Sequence, residues 1–96
     1  MSQTELLTVF TYDVSADKRR RRVARLLENA ATRVQYSVFE TRMTSTKAAA
    51  LSQRIAAELD SGDSLRVYSI GKGGQSRSRT YGDAMPFEPE GNYWLV

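Results

Sequence analysis

Residues 6–13 read Leu-Leu-Thr-Val-Phe-Thr-Tyr-Asp, a short run rich in β-branched and aromatic side chains. Such a run is typical of a buried β-strand, and we expect Asp13 to end it. N-cap candidates for a helix over about residues 16–31 follow at Ser15, Ala16 and Asp17. The apolar residues of this helix recur at the spacing i, i+3, i+4, i+7: Val23, Leu26, Leu27 and Ala30. The sequence therefore predicts a strand followed at once by an amphipathic helix.

The remainder of the chain repeats this alternation of strand and helix. Residues 33–43 alternate with period two and are long enough to bend near Ser37 into a hairpin. Thr44 or Ser45 can cap a second helix, which residues 60–63 end, and a strand over 64–70 follows. The order β-α-β-β-α-β is that of an α+β, ferredoxin-like domain, with an antiparallel sheet and both helices on one face.

One face of such a sheet carries no helix and needs a cover. We interpret residues 1–96 as a single domain with a core over about 6–70. A second copy of the chain is the simplest cover, which predicts a homodimer. Residues 71–96, which include a short further strand near 77–81 and an apolar end at 93–96, would bridge the dimer and add a strand to the partner's sheet.

The chain contains neither Cys nor His. Disulfides, thiolate zinc sites, His-ligated metals and Ser-His triads are thereby excluded. A metal bound here would be hard and oxygen-ligated, which favours Mg²⁺ or Mn²⁺. Because no apolar window reaches about 18 residues and the N-terminal residues 1–5 are polar, we expect a cytoplasmic protein without membrane contact.

Positive charge is concentrated on the predicted first helix. The net charge is +3, and six of the 14 basic residues lie within residues 18–25: Lys18, Arg19, Arg20, Arg21, Arg22 and Arg25. Cations in the first turns of a helix oppose its macrodipole, so helix stability does not require them there. We expect the arginines to contact nucleic-acid phosphates without reading sequence, the alternative being a solvated face.

A second basic group lies beyond the last core strand. Lys72, Arg77 and Arg79 flank the glycines of residues 71–74. Glycines allow a backbone to approach a phosphate closely, although the spacing is not that of a P-loop. Contact with nucleic acid is one interpretation of this segment, and a plain hairpin is the other.

Asp13 is the candidate metal ligand and catalytic residue. It follows an apolar strand and precedes a helix start, where a cap or turn role is the alternative. One carboxylate makes a poor metal site, but two copies facing each other across a twofold axis can share one magnesium ion. Such an ion polarises a phosphoryl group and lowers the pKa of bound water, which is the nuclease chemistry this composition permits.

Three parts of the sequence together resemble a known family. They are Tyr12-Asp13, the basic run from Lys18, and residues 33–40, Arg-Val-Gln-Tyr-Ser-Val-Phe-Glu. In order and spacing over about residues 6–70 the chain is similar to the CRISPR-associated Cas2 family. The resemblance implies a ferredoxin-like fold, a homodimer whose C-terminal strand adds to the partner's sheet, and Asp13 as a metal ligand from each protomer.

The resemblance also implies functional residues and partners. Tyr12, an arginine of the 19–22 run, Arg33 and Phe39 match family positions linked to nuclease activity or nucleic-acid contact. Members of the family are described as magnesium-dependent endonucleases on single-stranded RNA or double-stranded DNA. They are also described as scaffolds that hold a DNA duplex for the CRISPR adaptation integrase subunit.

Three functions therefore compete: a metal-dependent endonuclease, a non-catalytic DNA-binding scaffold, and a ferredoxin-like regulatory module for a small ligand. The arginine clusters argue against the third. The residues favour basic binding over catalysis, because no second acidic residue is obviously placed beside Asp13. Glu40 is the one acid that we consider as an additional ligand.

Overall fold

The computed structural model describes residues 4–71 and 79–82. Its elements are β1 (Glu5–Asp13), α1 (Asp17–Glu28), β2 (Thr32–Gln35), β3 (Val38–Thr44), α2 (Ser45–Ala56), β4 (Ser64–Ile70) and β5 (Arg79–Gly82). The predicted α+β order and the predicted bend at Ser37 are confirmed. The first helix is shorter than predicted, because the chain turns after Glu28 instead of continuing to residue 31.

The sheet is antiparallel throughout, with strand order β2-β3-β1-β4-β5. Strand β1 lies at the centre and pairs Phe10 with Phe39 on one side and with Val67 on the other. Because side chains alternate along a strand, Thr8, Phe10 and Tyr12 are buried on the helix-covered face. Asp13 therefore belongs to the opposite face.

The core forms between that sheet face and the two helices. Its fully buried hydrophobic residues come from all these elements: Phe10, Val23, Leu27, Phe39, Ile55 and Leu65. Helix α2 begins as predicted, with the Thr44 hydroxyl accepting the Lys47 N–H at 3.2 Å. At α1 the N-cap is Ala16, one of the three candidates, so no side chain caps this helix, and Asp17 is the first helical residue.

A buried carboxylate fastens the start of α1 to the start of β4. Asp63 has no exposed surface. It accepts hydrogen bonds from Arg19 Nε at 2.8 Å, from the Asp60 N–H at 2.9 Å and from the Ser15 N–H at 3.3 Å. The hydrogen bond from Arg19 is the main reason that the pKa of Asp63 lies below its usual value. This cluster fixes the loop that immediately follows Asp13.

The sheet face without helices, here called the open face, carries an apolar centre. Leu7 and Val9 of β1, Val38 of β3 and Ile70 of β4 are partly exposed there. Charged residues of β3 border these apolar side chains on the same face: Glu40 pairs with Val9, and Arg42 pairs with Leu7. The sequence predicted such an uncovered face.

Strand β5 confirms the short further strand expected near residues 77–81. Its residues 79–82 pair with β4 of their own chain. Residues 72–78 and 83–96 lie outside the described residues, and strand exchange by them stays a prediction. Within the described part of the chain, neither helix has the length and apolar character needed to cross a lipid bilayer.

Replacing the buried carboxylate tests its role in stability. Asp63→Asn keeps the side-chain volume but turns an amide donor toward groups that already donate, so we expect a clear fall in the free energy of unfolding at neutral pH. The matched control is Glu58→Gln, which breaks the exposed Arg22–Glu58 pair and should cost at most about 1 kcal/mol. Urea denaturation of both variants provides the measurement.

The pH dependence of the Asp63→Asn effect has a defined sign. Because folding lowers the pKa of Asp63 below 3.8, its stabilisation is present above that pH and is lost as the pH falls through the folded-state pKa. The gap between wild type and Asp63→Asn should therefore narrow on acidification. A gap of constant size from neutral pH to well below 3.8 would contradict this role.

Candidate functional site

Asp13 lies at the rim of an open cleft of about 460 Å³ between the end of β1, the start of α1 and the β2–β3 turn. The residues lining this cleft are Tyr12, Asp13, Val14, Arg20, Arg21, Ala24, Arg33, Tyr36 and Ser37. The Asp13 side chain is exposed. Five of the residues that the sequence singled out therefore line one cleft: Tyr12, Asp13, Arg20, Arg21 and Arg33.

In the described part of one chain, neither Glu40 nor Asp63 is positioned to share an ion with Asp13. Glu40 pairs with Val9, four residues or roughly 13 Å along β1 from Asp13, so it is too distant. Asp63 is buried and engaged by Arg19. Residues 4–71 and 79–82 contain no group of three or more acidic side chains able to hold a metal. An exposed carboxylate oxygen suits magnesium, but the site fits the ion only if a second carboxylate comes from elsewhere.

Tyr12 lies on the helix-covered face and is nearly buried. Its hydroxyl donates to the Tyr36 carbonyl at 3.5 Å, and its ring stacks on Phe39 with centroids 6.3 Å apart. Burial raises the pKa of Tyr12, an effect that the nearby Arg33 guanidinium partly offsets. The phenol is therefore neutral at physiological pH, so it can donate a proton or hydrogen bond but is not a general base.

Arg33 and Phe39 form a structural pair. The Arg33 guanidinium lies 4.9 Å from the centre of the Phe39 ring and also donates to the Tyr36 carbonyl at 2.5 Å and to Glu28 at 3.0 Å. The expectation that Phe39 contacts nucleic acid directly is wrong for this chain, because its side chain is completely buried. Arg33 is about 42% exposed and keeps an outward-facing edge.

The arginine run divides into paired and unpaired residues. Arg19 binds Asp63, and Arg22 binds Glu58 at 2.8 Å. Arg20 pairs with Asp17 and donates to the Val14 carbonyl at 2.9 Å. These three were expected to hold phosphates, and the structure gives them intramolecular partners instead. Within the described residues the exposed cations that make no ion pair on this helix are Lys18, Arg21 and Arg25.

The second predicted basic group is described only in part. Arg79 begins β5 and is exposed. Lys72 and Arg77 lie outside the described residues, so their contact with nucleic acid stays a prediction.

Another basic surface escaped the sequence analysis. Arg42, Lys47 and Arg54 line an open depression between β3 and α2, together with Ala30 and Met43. The spacing of seven residues between Lys47 and Arg54 places both on the same side of a helix, which was the available signal. Arg42 comes from a separate strand, and only the fold brings it to the other two.

A family model described as CRISPR associated protein Cas2 matches residues 6–78. The chain belongs to the Cas2 family. This confirms the resemblance seen over about residues 6–70. A curated relative, the CRISPR-associated endoribonuclease Cas2 2 of Synechocystis sp., is 41% identical over 80 residues, which cover 81% of this chain and 86% of the relative.

Solved Cas2 structures share the fold. Streptococcus pyogenes Cas2 superposes with a TM-score of 0.62 at 36% identity, covering 80% of this chain and all of that one. A chain of a partial Cas6-RT-Cas1–Cas2 complex superposes with a TM-score of 0.58 at 26% identity, covering 95% of this chain and 94% of that one. The ferredoxin-like fold predicted from the sequence is therefore confirmed.

Removing the Tyr12 hydroxyl tests the electrostatics of this site. At neutral pH, Tyr12→Phe should cost no more than about 0.5–1.5 kcal/mol, because it deletes a single hydrogen bond. Folding raises the pKa of Tyr12 above 10.0, so stability linked to the neutral phenol is present below that pH and is lost as the pH rises through the folded-state pKa. The alkaline loss of stability should accordingly be smaller in Tyr12→Phe.

Chemical denaturation at a series of alkaline pH values measures this effect. Tyr36→Phe is the control, because it removes the hydroxyl of an exposed ring, and it should keep the wild-type profile. Identical alkaline profiles for wild type and Tyr12→Phe would refute the buried, neutral phenol.

Proposed function

We propose that this Cas2-family chain is a homodimeric, metal-dependent endonuclease that hydrolyses phosphodiester bonds in RNA or DNA. Two copies would pack their open sheet faces together, so that the Asp13 carboxylates of both protomers share one Mg²⁺ or Mn²⁺ ion. The relative from Synechocystis sp. is named an endoribonuclease, which supports cleavage of RNA. The observation that carries the proposal is the exposed Asp13 at the end of the open face, in a cleft with Arg20, Arg21 and Arg33.

The dimer follows from the pattern of side chains on β1. Leu7 and Val9 share the open face with Asp13 because all three are odd-numbered residues of one strand. Leu7 and Val9 are partly exposed in a single chain, whereas a twofold contact would bury them against the same residues of the partner. The same contact would bring two end-of-strand carboxylates toward one axis and complete a site that one chain leaves incomplete.

The metal and the residues of the cleft have different roles in hydrolysis. When bound, the metal supplies Lewis-acid chemistry and a more acidic water. Arg21 binds a phosphate of the nucleic-acid backbone next to Asp13. The exposed edge of the Arg33 guanidinium binds the same nucleic-acid strand from the other side of the cleft. Tyr12, neutral and close to the Tyr36 carbonyl, keeps the β2–β3 turn in place.

Asp13→Asn tests the catalytic half of the proposal. Metal-dependent cleavage should fall by more than about 100-fold, since loss of even an outer-shell partner of a metal typically costs roughly 10–100-fold. Two carboxylates facing each other repel without a metal, so the variant should dimerise at least as tightly as wild type in EDTA. Glu40→Gln, an acid on the same face but distant from Asp13, is the matched control and should retain cleavage.

Gel-based cleavage assays and sedimentation velocity provide these measurements. If Asp13→Asn cleaves at the wild-type rate, Asp13 is not the metal ligand. If wild type is a monomer in solution, the shared metal site does not form.

A non-catalytic scaffold is the second candidate. In this role the basic dimer grips a DNA duplex and docks onto the CRISPR adaptation integrase subunit. The similarity to a chain of a Cas1–Cas2 complex favours it, as do the unpaired cations of α1. A scaffold requires phosphate contacts but no metal, so loss of cleavage in Asp13→Asn with intact duplex binding is compatible with this role.

The separation of the basic residues of α1 into ion-paired and unpaired side chains predicts which of them bind the phosphates of a DNA duplex. Replacing Lys18, Arg21 and Arg25 with Ala should weaken binding to all sequences and reduce the slope of log Kobs against log salt concentration by about 0.9 for each phosphate that the variant no longer neutralises. Arg22→Ala is the control and should change the slope less, because Glu58 already neutralises Arg22. Fluorescence anisotropy at several salt concentrations measures the slopes, and equal effects per residue would contradict the division.

A further inference from the structure

Tyr36 is the more exposed of the two large hydrophobic residues that face solvent in the described part of the chain. It lies in the turn between β2 and β3, and 91% of its surface is exposed. Its ring contributes nothing to the core, whereas the neighbouring aromatics Tyr12 and Phe39 are buried. Because this ring also lines the Asp13 cleft, it offers an aromatic face on which a base can stack.

The backbone that carries this ring is held in place from two directions. The Tyr36 carbonyl accepts from Arg33 Nη1 at 2.5 Å and from the Tyr12 hydroxyl at 3.5 Å. The next carbonyl, that of Ser37, accepts the Tyr12 N–H at 3.1 Å. The turn is thereby tied to the central strand β1, so the ring projects from an ordered position.

The surroundings of Tyr36 are positively charged and polar. The ring borders the Asp13 cleft, which also contains Arg20 and Arg21. On its other side it borders an open concavity formed with Arg33 and Gln35. Arginine side chains can bind a phosphate, an exposed aromatic ring can stack on the face of a base, and a side-chain amide can hydrogen-bond to the edge of a base.

We propose that Tyr36 is a base-stacking residue that holds an unpaired nucleotide next to Asp13, so that this surface binds single-stranded nucleic acid. The inference rests on the proposed function and adds a subsite to it. A base within a duplex is already stacked on both faces, so the ring accepts a base only from a single strand or an unpaired end. The cleft would then prefer single strands, while the unpaired cations of α1 hold either kind of backbone.

The test is equilibrium binding in EDTA at one fixed salt concentration, so that no cleavage occurs. The probes are a single-stranded RNA, a single-stranded DNA of the same sequence, each strand with abasic nucleotides, and a blunt duplex of the same length. The variants are Tyr36→Ala, Tyr36→Phe, which keeps the aromatic face, and Val34→Ala, which shortens an exposed apolar side chain of the same strand edge.

Stacking on one base contributes roughly 1–3 kcal/mol, which corresponds to about 5- to 150-fold in affinity. Tyr36→Ala should weaken binding of single strands by that factor and leave duplex binding within about twofold. Tyr36→Phe should bind single strands with wild-type affinity, and Val34→Ala should leave the affinity for every probe unchanged. For the abasic strands, Tyr36→Ala and wild type should have the same affinity.

Several results would overturn the inference. They are an equal loss on single strands and duplex, failure of Tyr36→Phe to restore binding, and a Tyr36→Ala protein that no longer dimerises in sedimentation. The last result would identify the ring as a contact between protomers. Wild type that binds duplex but no single strand would refute the stacking subsite alone, whereas wild type that binds neither would refute the proposed function as well.

Discussion

The buried carboxylate of Asp63 is the contact on which the geometry of the site depends. It joins the start of α1, through Arg19, to the loop that leaves β1 and to the turn that enters β4. A buried charge without partners is costly, and these hydrogen bonds, above all the one from Arg19, stabilise the ionised carboxylate there. Because Ser15 follows Asp13 by only two residues, the cluster also determines where the candidate metal ligand lies at the end of the strand.

Alternation along β1 then divides the chemistry between two faces. Tyr12 points into the helix-covered core, where burial raises its pKa and keeps it neutral. Asp13, one residue later, belongs to the open face and is exposed. A one-residue change of register would exchange these environments. The pairing of β1 with both β3 and β4 prevents it, since each neighbour buries its own apolar residues only in this register.

The local pattern of apolar and polar residues in the sequence was sufficient to predict the fold, but it did not predict the ion pairs that the arginines of α1 form. The length of the period-two run over residues 33–43 predicted the hairpin with its bend near Ser37, and Thr44 was one of the two residues expected to cap the second helix. The helix partners of the arginines were not predictable, because Asp63 lies 44 residues from Arg19 and Glu58 lies 36 residues from Arg22. Charge counting along a helix therefore overestimated the cations free for phosphate. The same limit hid Arg42, which only the fold brings to Lys47 and Arg54.

Strand β2 has a consequence for the behaviour of the protein at high concentration. It forms one margin of the sheet, all four of its residues are exposed, and its register with β3 shifts between Arg33 and Gln35. A straight margin with free backbone groups invites the strands of other molecules to continue the sheet. The irregular register and the Arg33 charge interrupt that template, so this edge is a poor site for the addition of strands from other molecules.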